Sequence, residues 1–162
     1  MVKFKNSSQN QRLSALLFGL AALFIFPGSA WAGADCPDAT PTRIMVHVDG
    51  MKSAKGTLTA ALYDDNERNF LRKGSRIAKE REPASEDTVV VCMPAPGPGE
   101  YAIALYHDDN ANRKFDRNWY GKPKEGWAFS NNAKGRLGPP SYKSAAFKVE
   151  GTEIEIHIRM RY

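Results

Sequence analysis

The chain has 162 residues and a formal net charge of +5, a length that suits a single domain. Residues 1–32 contain three of the Lys and Arg residues and no Asp or Glu, so removing that segment lowers the charge to +2. The other basic residues are spread along the sequence rather than clustered with exposed aromatic residues, and this composition argues against a nucleic-acid partner.

The N-terminus has the three parts of a secretory signal peptide. Basic residues precede an apolar run at residues 13–26, and the small residues at positions 30–32 supply a cleavage site. The run has 14 residues, whereas a transmembrane helix needs about 20, so we do not expect an integral membrane protein. We predict cleavage after Ala32 and export, to the periplasm or out of the cell, of a domain at residues 33–162.

Short runs of alternating or β-branched residues predict six strands. They lie at residues 44–49, 57–63, 88–93, 100–106, 145–149 and 153–160. Short strands separated by Gly and Pro turns indicate an all-β fold, a single antiparallel β-sandwich of the Ig-like or transthyretin-like type. Residues 53–56 are interpreted as a hairpin-like link between the first two strands.

Residues 64–87 allow two interpretations. A short helix could occupy residues 66–77, although Gly74 interrupts it, or an edge strand could occupy residues 75–82 and end at Pro83. Residues 61–66 also resemble residues 104–110, since each stretch ends in an acidic loop. Either Asp and Asn cap two separate turns, or both loops meet at one rim of the sandwich and form a joint site.

Two cysteines, Cys36 and Cys92, remain after cleavage. An even number of cysteines in an oxidising compartment favours pairing. We therefore predict a Cys36–Cys92 disulfide, with two buried free thiols as the alternative.

A long loop at residues 107–142 follows the fourth strand and carries the residues most informative about function. Side-chain oxygens occur there at positions one, three, five and nine of a calcium-binding pattern, with Arg113 and Trp119 where an EF-hand has Gly and Glu. The alternatives are a weak calcium site and a metal-free loop of Asx-turns. The predicted calcium ligands are Asp108, Asn110, Asn112 and Asp116.

Aromatic side chains in this loop could stack on a sugar ring, or they could form a small core that keeps the loop ordered. As an ordered recognition surface, the loop would use His107, Trp119, Tyr120, Glu125, Trp127 and Asn131. A catalytic alternative would use His107 with Asp108 and Glu125 as a hydrolase site. The three histidines are isolated within predicted strands or at strand ends, and zinc-ligand spacing is absent.

From Gly99 onward the chain resembles a bacterial secreted family of domains of unknown function, numbered 2141. The resemblance is carried by Gly99–Ala102, His107, Asp108, Asn110, Asn112, Lys114, Asp116, Gly121, Pro123, Glu125, Gly126, Phe129–Asn132, Gly138–Pro140 and Ala145–Phe147. Ala111 and Arg113 depart from the pattern, because glycine is usual at both positions. The resemblance implies an exported β-sandwich and supplies no catalytic role.

Taken together, these patterns indicate a non-enzymatic, exported binding module whose 107–142 loop is an ordered recognition surface, with calcium as one way of organising it. Its partner would be an envelope or extracellular ligand. The rival interpretations are an envelope-acting hydrolase and a structural envelope protein without a small ligand.

Overall fold

The computed structural model describes Cys36 and residues 41–162; the predicted signal peptide lies outside these residues. Eight strands occupy the described part of the chain. They are β1 (Thr42–Asp49), β2 (Thr57–Tyr63), β3 (Ala78–Pro83), β4 (Val89–Ala95), β5 (Gly99–Asp108), β6 (Gly126–Phe129), β7 (Phe147–Val149) and β8 (Glu153–Arg159), with one short helix, α1 (Tyr142–Ala145). No helix in this part of the chain is long and apolar enough to cross a membrane.

The strands form two sheets, and the predicted all-β sandwich is confirmed. The first sheet has the order β4-β1-β8, and the second has the order β3-β2-β5-β6, with β7 paired to β5. The pairing is antiparallel except between β1 and β8, which run parallel. Residues 53–56 connect strands of different sheets, so the hairpin-like link was wrong. An alternating pattern fixes which face of a strand is buried, but it does not fix the neighbouring strand.

The main core lies between the inner faces of the two sheets. It is built from alternate residues of the long strands, among them Ile44, Val46 and Val48 on β1 and Leu58 and Leu62 on β2, all 0% exposed. A second apolar cluster lies outside this core. It comprises Ala102, Phe129, Ala133, Tyr142 and Ala145.

Of the two interpretations of residues 64–87, the edge strand is the one observed. After a short 3₁₀ helix at Glu67–Asn69, β3 pairs with β2 at the edge of the second sheet. The joint-site interpretation of the two acidic loops was wrong. Because β2 and β5 are antiparallel neighbours, the ends at which they enter their acidic loops lie at opposite ends of the sheet.

Cys36 and Cys92 form the predicted disulfide. Cys92 lies on β4, so the bond attaches the N-terminal part of the domain to the first sheet. The chain-entropy model assigns a bridge across the 56-residue separation about 4 kcal/mol of stabilisation. Such a bond is typical of proteins that reside in oxidising compartments outside the cytoplasm.

Candidate binding site

The loop that follows β5 is closed by its own side chains. Asp108 is fully buried, and its two carboxylate oxygens accept the backbone N–H groups of Asn112 at 3.0 Å and Arg113 at 2.7 Å. The side-chain oxygens of Asn110 and Asn112 accept N–H groups two residues further along, at 3.0 and 2.8 Å. These are Asx-turns, which curl the backbone around the side-chain oxygens.

Asp116 completes this cluster. Its Oδ2 atom accepts the Nδ2 groups of Asn110 at 2.9 Å and Asn112 at 2.8 Å. The four residues predicted as calcium ligands are therefore linked by hydrogen bonds within one loop.

Glu125 adds a carboxylate to the same cluster. It is 3% exposed, its Oε2 accepts the N–H group of Asp116 at 2.8 Å, and its Oε1 has no hydrogen-bond partner among the described residues. Burial raises the pKa of Glu125, the N–H of Asp116 opposes that shift, and the carboxylates of Asp108 and Asp116 reinforce it. A buried carboxylate oxygen without a donor is costly, so this position suits a cation.

A small hairpin explains how Glu125 reaches Asp116. Arg117 and Pro123 form a β-bridge, and the Lys124 N–H then donates to the Asp116 carbonyl at 2.9 Å. Because the hairpin brings the chain back to the cluster, Glu125, nine residues beyond Asp116, adds its carboxylate there. Sequence spacing alone had placed Trp119 at the last ligand position.

Trp119 and Tyr120 occupy the tip of this hairpin. They are 95% and 60% exposed, and their rings contact edge to face at 5.2 Å. These two aromatic residues therefore do not form a core. Trp127 and Phe129, 5.7 Å apart, do pack, because β6 holds them against the second apolar cluster.

A cleft of about 1140 Å³ lies beside the loop, on the outer face of the second sheet. Thr59 and Ala61 of β2 and Tyr106 of β5 contribute to its floor, with Trp127 of β6. Six of its described lining residues are cationic and none is Asp or Glu. The cations are Arg76, Lys79, Arg113, Arg117, Lys122 and Arg136.

The loop supplies one wall of the cleft. Its oxygen-bearing residues take part in the cluster, while Arg113, Phe115 and Arg117 line the cleft. The guanidinium of Arg117 lies 4.9 Å from the centre of the Phe115 ring, which packs in turn against Tyr106. Whatever fixes the loop therefore also positions these two arginines.

The environment of the cleft lowers the pKa of Lys79 on β3. Burial lowers the pKa of its ammonium, and the neighbouring Arg81 and Arg76 lower the pKa further. Like charges held together in a partly desolvated cleft repel one another. An anion in the cleft would relieve this repulsion.

Two residues expected on the recognition surface lie inside the protein, and that expectation was wrong for both. His107 is 1% exposed, because β5 points it between the sheets, where Nε2 contacts the Lys55 carbonyl and Nδ1 contacts the Tyr162 hydroxyl. Glu125 is buried in the loop cluster. Three of the other expected residues lie at the surface: Tyr120 and Trp127 line the cleft, and Trp119 is exposed beside it.

The residues of the proposed hydrolase site do not line the cleft. His107, Asp108 and Glu125 are each at most 3% exposed, and all three have backbone hydrogen-bond partners. They are positioned to hold the loop and strand ends.

Comparison with protein families decides the relationship of the chain. The family model for an uncharacterised protein conserved in bacteria, DUF2141, matches residues 46–157. The chain belongs to the DUF2141 family. No functionally curated protein matches it significantly.

One solved structure resembling this DUF2141 member is described as a "putative adhesin" from Bacteroides ovatus, at 12% identity and a TM-score of 0.37. The match covers 79% of the present chain and 49% of the other, so the chain spans about half the length of that protein. So distant a likeness supports no statement about activity.

Ser130, Asn131 and Asn132, which directly follow β6, join this part of the chain to neighbouring elements. The buried Ser130 hydroxyl accepts the Ile103 N–H at 2.9 Å and donates to the Ala145 carbonyl at 2.5 Å. Asn131 Nδ2 donates to the Ala146 carbonyl, and Asn132 Oδ1 accepts the Arg159 N–H. Asn131, expected on the recognition surface, thus joins the 130–132 segment to the residue after α1.

Three of the six cationic cleft residues had no sequence signal. Arg76 and Lys79 are close in the sequence, but Arg136 lies 57 residues beyond Lys79, and all three lie in segments of ordinary composition. Only the pairing of β3 with β2, together with the fold of the 130–146 segment, brings them to one surface.

Proposed function

We propose that this protein is an exported, non-enzymatic binding module whose cleft takes an acidic saccharide. The supporting observation is the lining of the cleft, with six cations, several aromatic rings and no carboxylate among the described residues. Cations contribute attraction and geometry toward carboxylate, sulfate or phosphate groups. Flat aromatic faces suit the apolar faces of sugar rings, and Trp127 and Tyr120 offer them.

The calcium part of the proposal rests on the loop cluster. Asp108, Asp116 and Glu125 bring three carboxylates to one loop with two Asn side chains, and hard oxygen donors of this kind suit calcium. The unpartnered Oε1 of Glu125 supplies a carboxylate ligand in place of the glutamate that the sequence pattern lacked. Calcium would fix the wall that carries Arg113 and Arg117, and so would act on the cleft without touching the ligand.

The observations favour binding over the two rival functions. The hydrolase interpretation needs His107, Asp108 and Glu125 beside a bound substrate, yet these side chains are buried and hydrogen-bonded. A structural protein has no need for a cleft lined by six cations and, among the described residues, no carboxylate. An exposed Trp at a hairpin tip is also more typical of a contact surface than of a scaffold.

Calorimetry with oligogalacturonate, a carboxylated saccharide, tests the cleft. Binding should weaken as salt rises, and Lys79→Gln with Arg136→Gln should reduce affinity at least tenfold, about 1.4 kcal/mol. The control is Lys148→Gln, which removes an exposed cation on β7 outside the cleft. Equal affinity for a neutral maltooligosaccharide, or tighter binding of single-stranded DNA, would reject an acidic-saccharide site.

Thermal melting in calcium and in EDTA tests the loop. With a dissociation constant on the order of 10⁻⁴ M, 10 mM calcium should add about 2.7 kcal/mol of stability. Asp116→Ala should abolish that gain, while Asp109→Ala, which removes an exposed carboxylate outside the cluster, should retain it. Identical melting of the wild type in calcium and EDTA would show that the Asx-turns alone hold the loop.

A further inference from the structure

We propose that His47, Glu155 and His157 form a binding site for a divalent transition metal of the zinc and copper class. The site lies on the outer face of the first sheet, so it does not depend on the cleft. The proposal starts from strand register: β1 and β8 run parallel, and His47 is the direct partner of His157. Glu155 precedes His157 by two residues on β8, so its side chain lies on the same face.

The side chains are already close to one another. One ligand atom from each of the three residues lies within 4.8 Å of those of the other two. The imidazole rings stack with centroids 4.7 Å apart and an interplanar angle of 19°. His47 Nε2 lies 3.5 Å from Glu155 Oε2. That nitrogen is buried and has no hydrogen-bond partner among the described residues, so it is available to a metal.

The donor set selects the metal class. Two imidazole nitrogens and one carboxylate oxygen are the protein ligands of many three-ligand zinc centres, in which water takes the fourth position. Tetrahedral bonds of about 2.1 Å place ligand atoms about 3.4 Å apart, so side-chain rotations alone bring the three atoms into range. Calcium and magnesium prefer all-oxygen sites, which distinguishes this face from the loop cluster.

The neighbouring charges leave the site open. Arg43 pairs with Glu153 one step along the same face, at 3.9 Å, and so does not compete for Glu155. On the other side, Asp49 stands opposite Arg159 in the register. Both Glu155 and His157 are exposed, which gives a hydrated metal direct access.

Titration of the EDTA-treated, disulfide-intact domain with Zn²⁺ tests the site, and Co²⁺ serves as a spectroscopic substitute. We expect one zinc per domain and, with cobalt, the intense visible absorption of a four-coordinate ion. His157→Gln and His47→Gln should each weaken zinc binding at least tenfold, since changes even beyond the ligands cost about 10- to 100-fold. Glu155→Gln should weaken it as well.

The control is Glu150→Gln, which removes an exposed carboxylate outside the cluster and leaves the Arg43–Glu153 pair in place. Carrying out the titration in Asp116→Ala excludes zinc bound at the loop. Because Glu155 and His157 are exposed, their variants should melt as the wild type does, so lost binding would not reflect unfolding. Unchanged zinc affinity in both His157→Gln and His47→Gln would overturn the proposal.

Discussion

The hydroxyl oxygen of Tyr162 lies 2.6 Å from Nδ1 of His107, although the two residues are 55 positions apart in the sequence. The other ring nitrogen of His107, Nε2, lies 2.7 Å from the Lys55 carbonyl oxygen, which can only accept. Nε2 therefore carries the hydrogen, and Nδ1 accepts the Tyr162 hydroxyl. That hydroxyl also accepts the Lys52 N–H at 3.0 Å. One buried imidazole thus joins β5, the connection after β1 and the C-terminus.

Tyr162→Phe should destabilise the domain by about 1–3 kcal/mol, because it leaves His107 Nδ1 buried without a donor. Urea denaturation followed by tryptophan fluorescence measures the change. Tyr120→Phe is the control, since Tyr120 is exposed and its hydroxyl group is removed from the surface rather than from a buried contact. Equal stability of the two variants would show that the His107 bond is dispensable.

Gly56→Ala should cost about 3 kcal/mol or more, because a Cβ there would lie 1.9 Å from the Asp108 carbonyl oxygen. Gly74→Ala separates this clash from backbone strain. Gly74 has a similar positive φ of 84° but no atom near its Cβ position, so its variant should lose only about 1 kcal/mol. Urea denaturation measures the free energy of unfolding of both variants. Similar losses for both would show that Gly56 is not closely packed against the loop.

Ala111→Gly should stabilise the protein by about 0.5–1 kcal/mol in the absence of metal. Ala111 has φ of 55° and Arg113 has φ of 66°, so both retain the left-handed conformation that glycine adopts more readily. Ala146→Gly, at φ of −65°, should destabilise instead. Melting temperatures of the two variants give the signs, and a lower melting temperature for Ala111→Gly would contradict the curled loop.

Glu125→Gln should raise stability at neutral pH in EDTA and weaken calcium binding. Burial raises the pKa of Glu125 in the folded state, so the folded state binds the proton more tightly than the unfolded chain does. Protonation of Glu125 therefore stabilises the protein as pH falls from the folded pKa toward the ordinary glutamate pKa of 4.5, and the charged carboxylate costs stability above the folded pKa.

Urea denaturation between pH 4.5 and 7.5 checks this dependence. The variant should lack the stability gain that the wild type shows on acidification from neutral pH. Glu86→Gln, which changes an exposed carboxylate, is the control. Lower stability of Glu125→Gln at neutral pH would mean that the charged carboxylate is favourable where it lies.

The sequence predicted most of the strands, because alternation records burial directly, but it missed β6, which lies inside the predicted 107–142 loop. It predicted the boundaries of β2, and it predicted the inward Ile158 with outward Glu155 and His157 on β8. It could not predict which strands pair. Partner choice depends on long-range packing, and for that reason the 53–56 link and the rim shared by two acidic loops were wrong.

In the candidate sites, too, local groupings could be predicted from the sequence and long-range ones could not. Asp108, Asn110, Asn112 and Asp116 are close in sequence, so their spacing revealed the cluster. Glu125 joins them only because a hairpin intervenes. His47 and His157 lie on strands from opposite ends of the domain, and no spacing rule could place them side by side.

Nuclear magnetic resonance titration of the domain with oligogalacturonate tests the binding claim most directly. In residues 33–162, Trp119 and Trp127 are the only tryptophans, and Trp119→Phe assigns their two indole N–H signals. We predict that the Trp127 signal and the amides of Arg113 and Lys79 shift on saturation, while the His157 amide on the other sheet does not. Saturation without movement of Trp127, or shifts confined to the first sheet, would contradict the account.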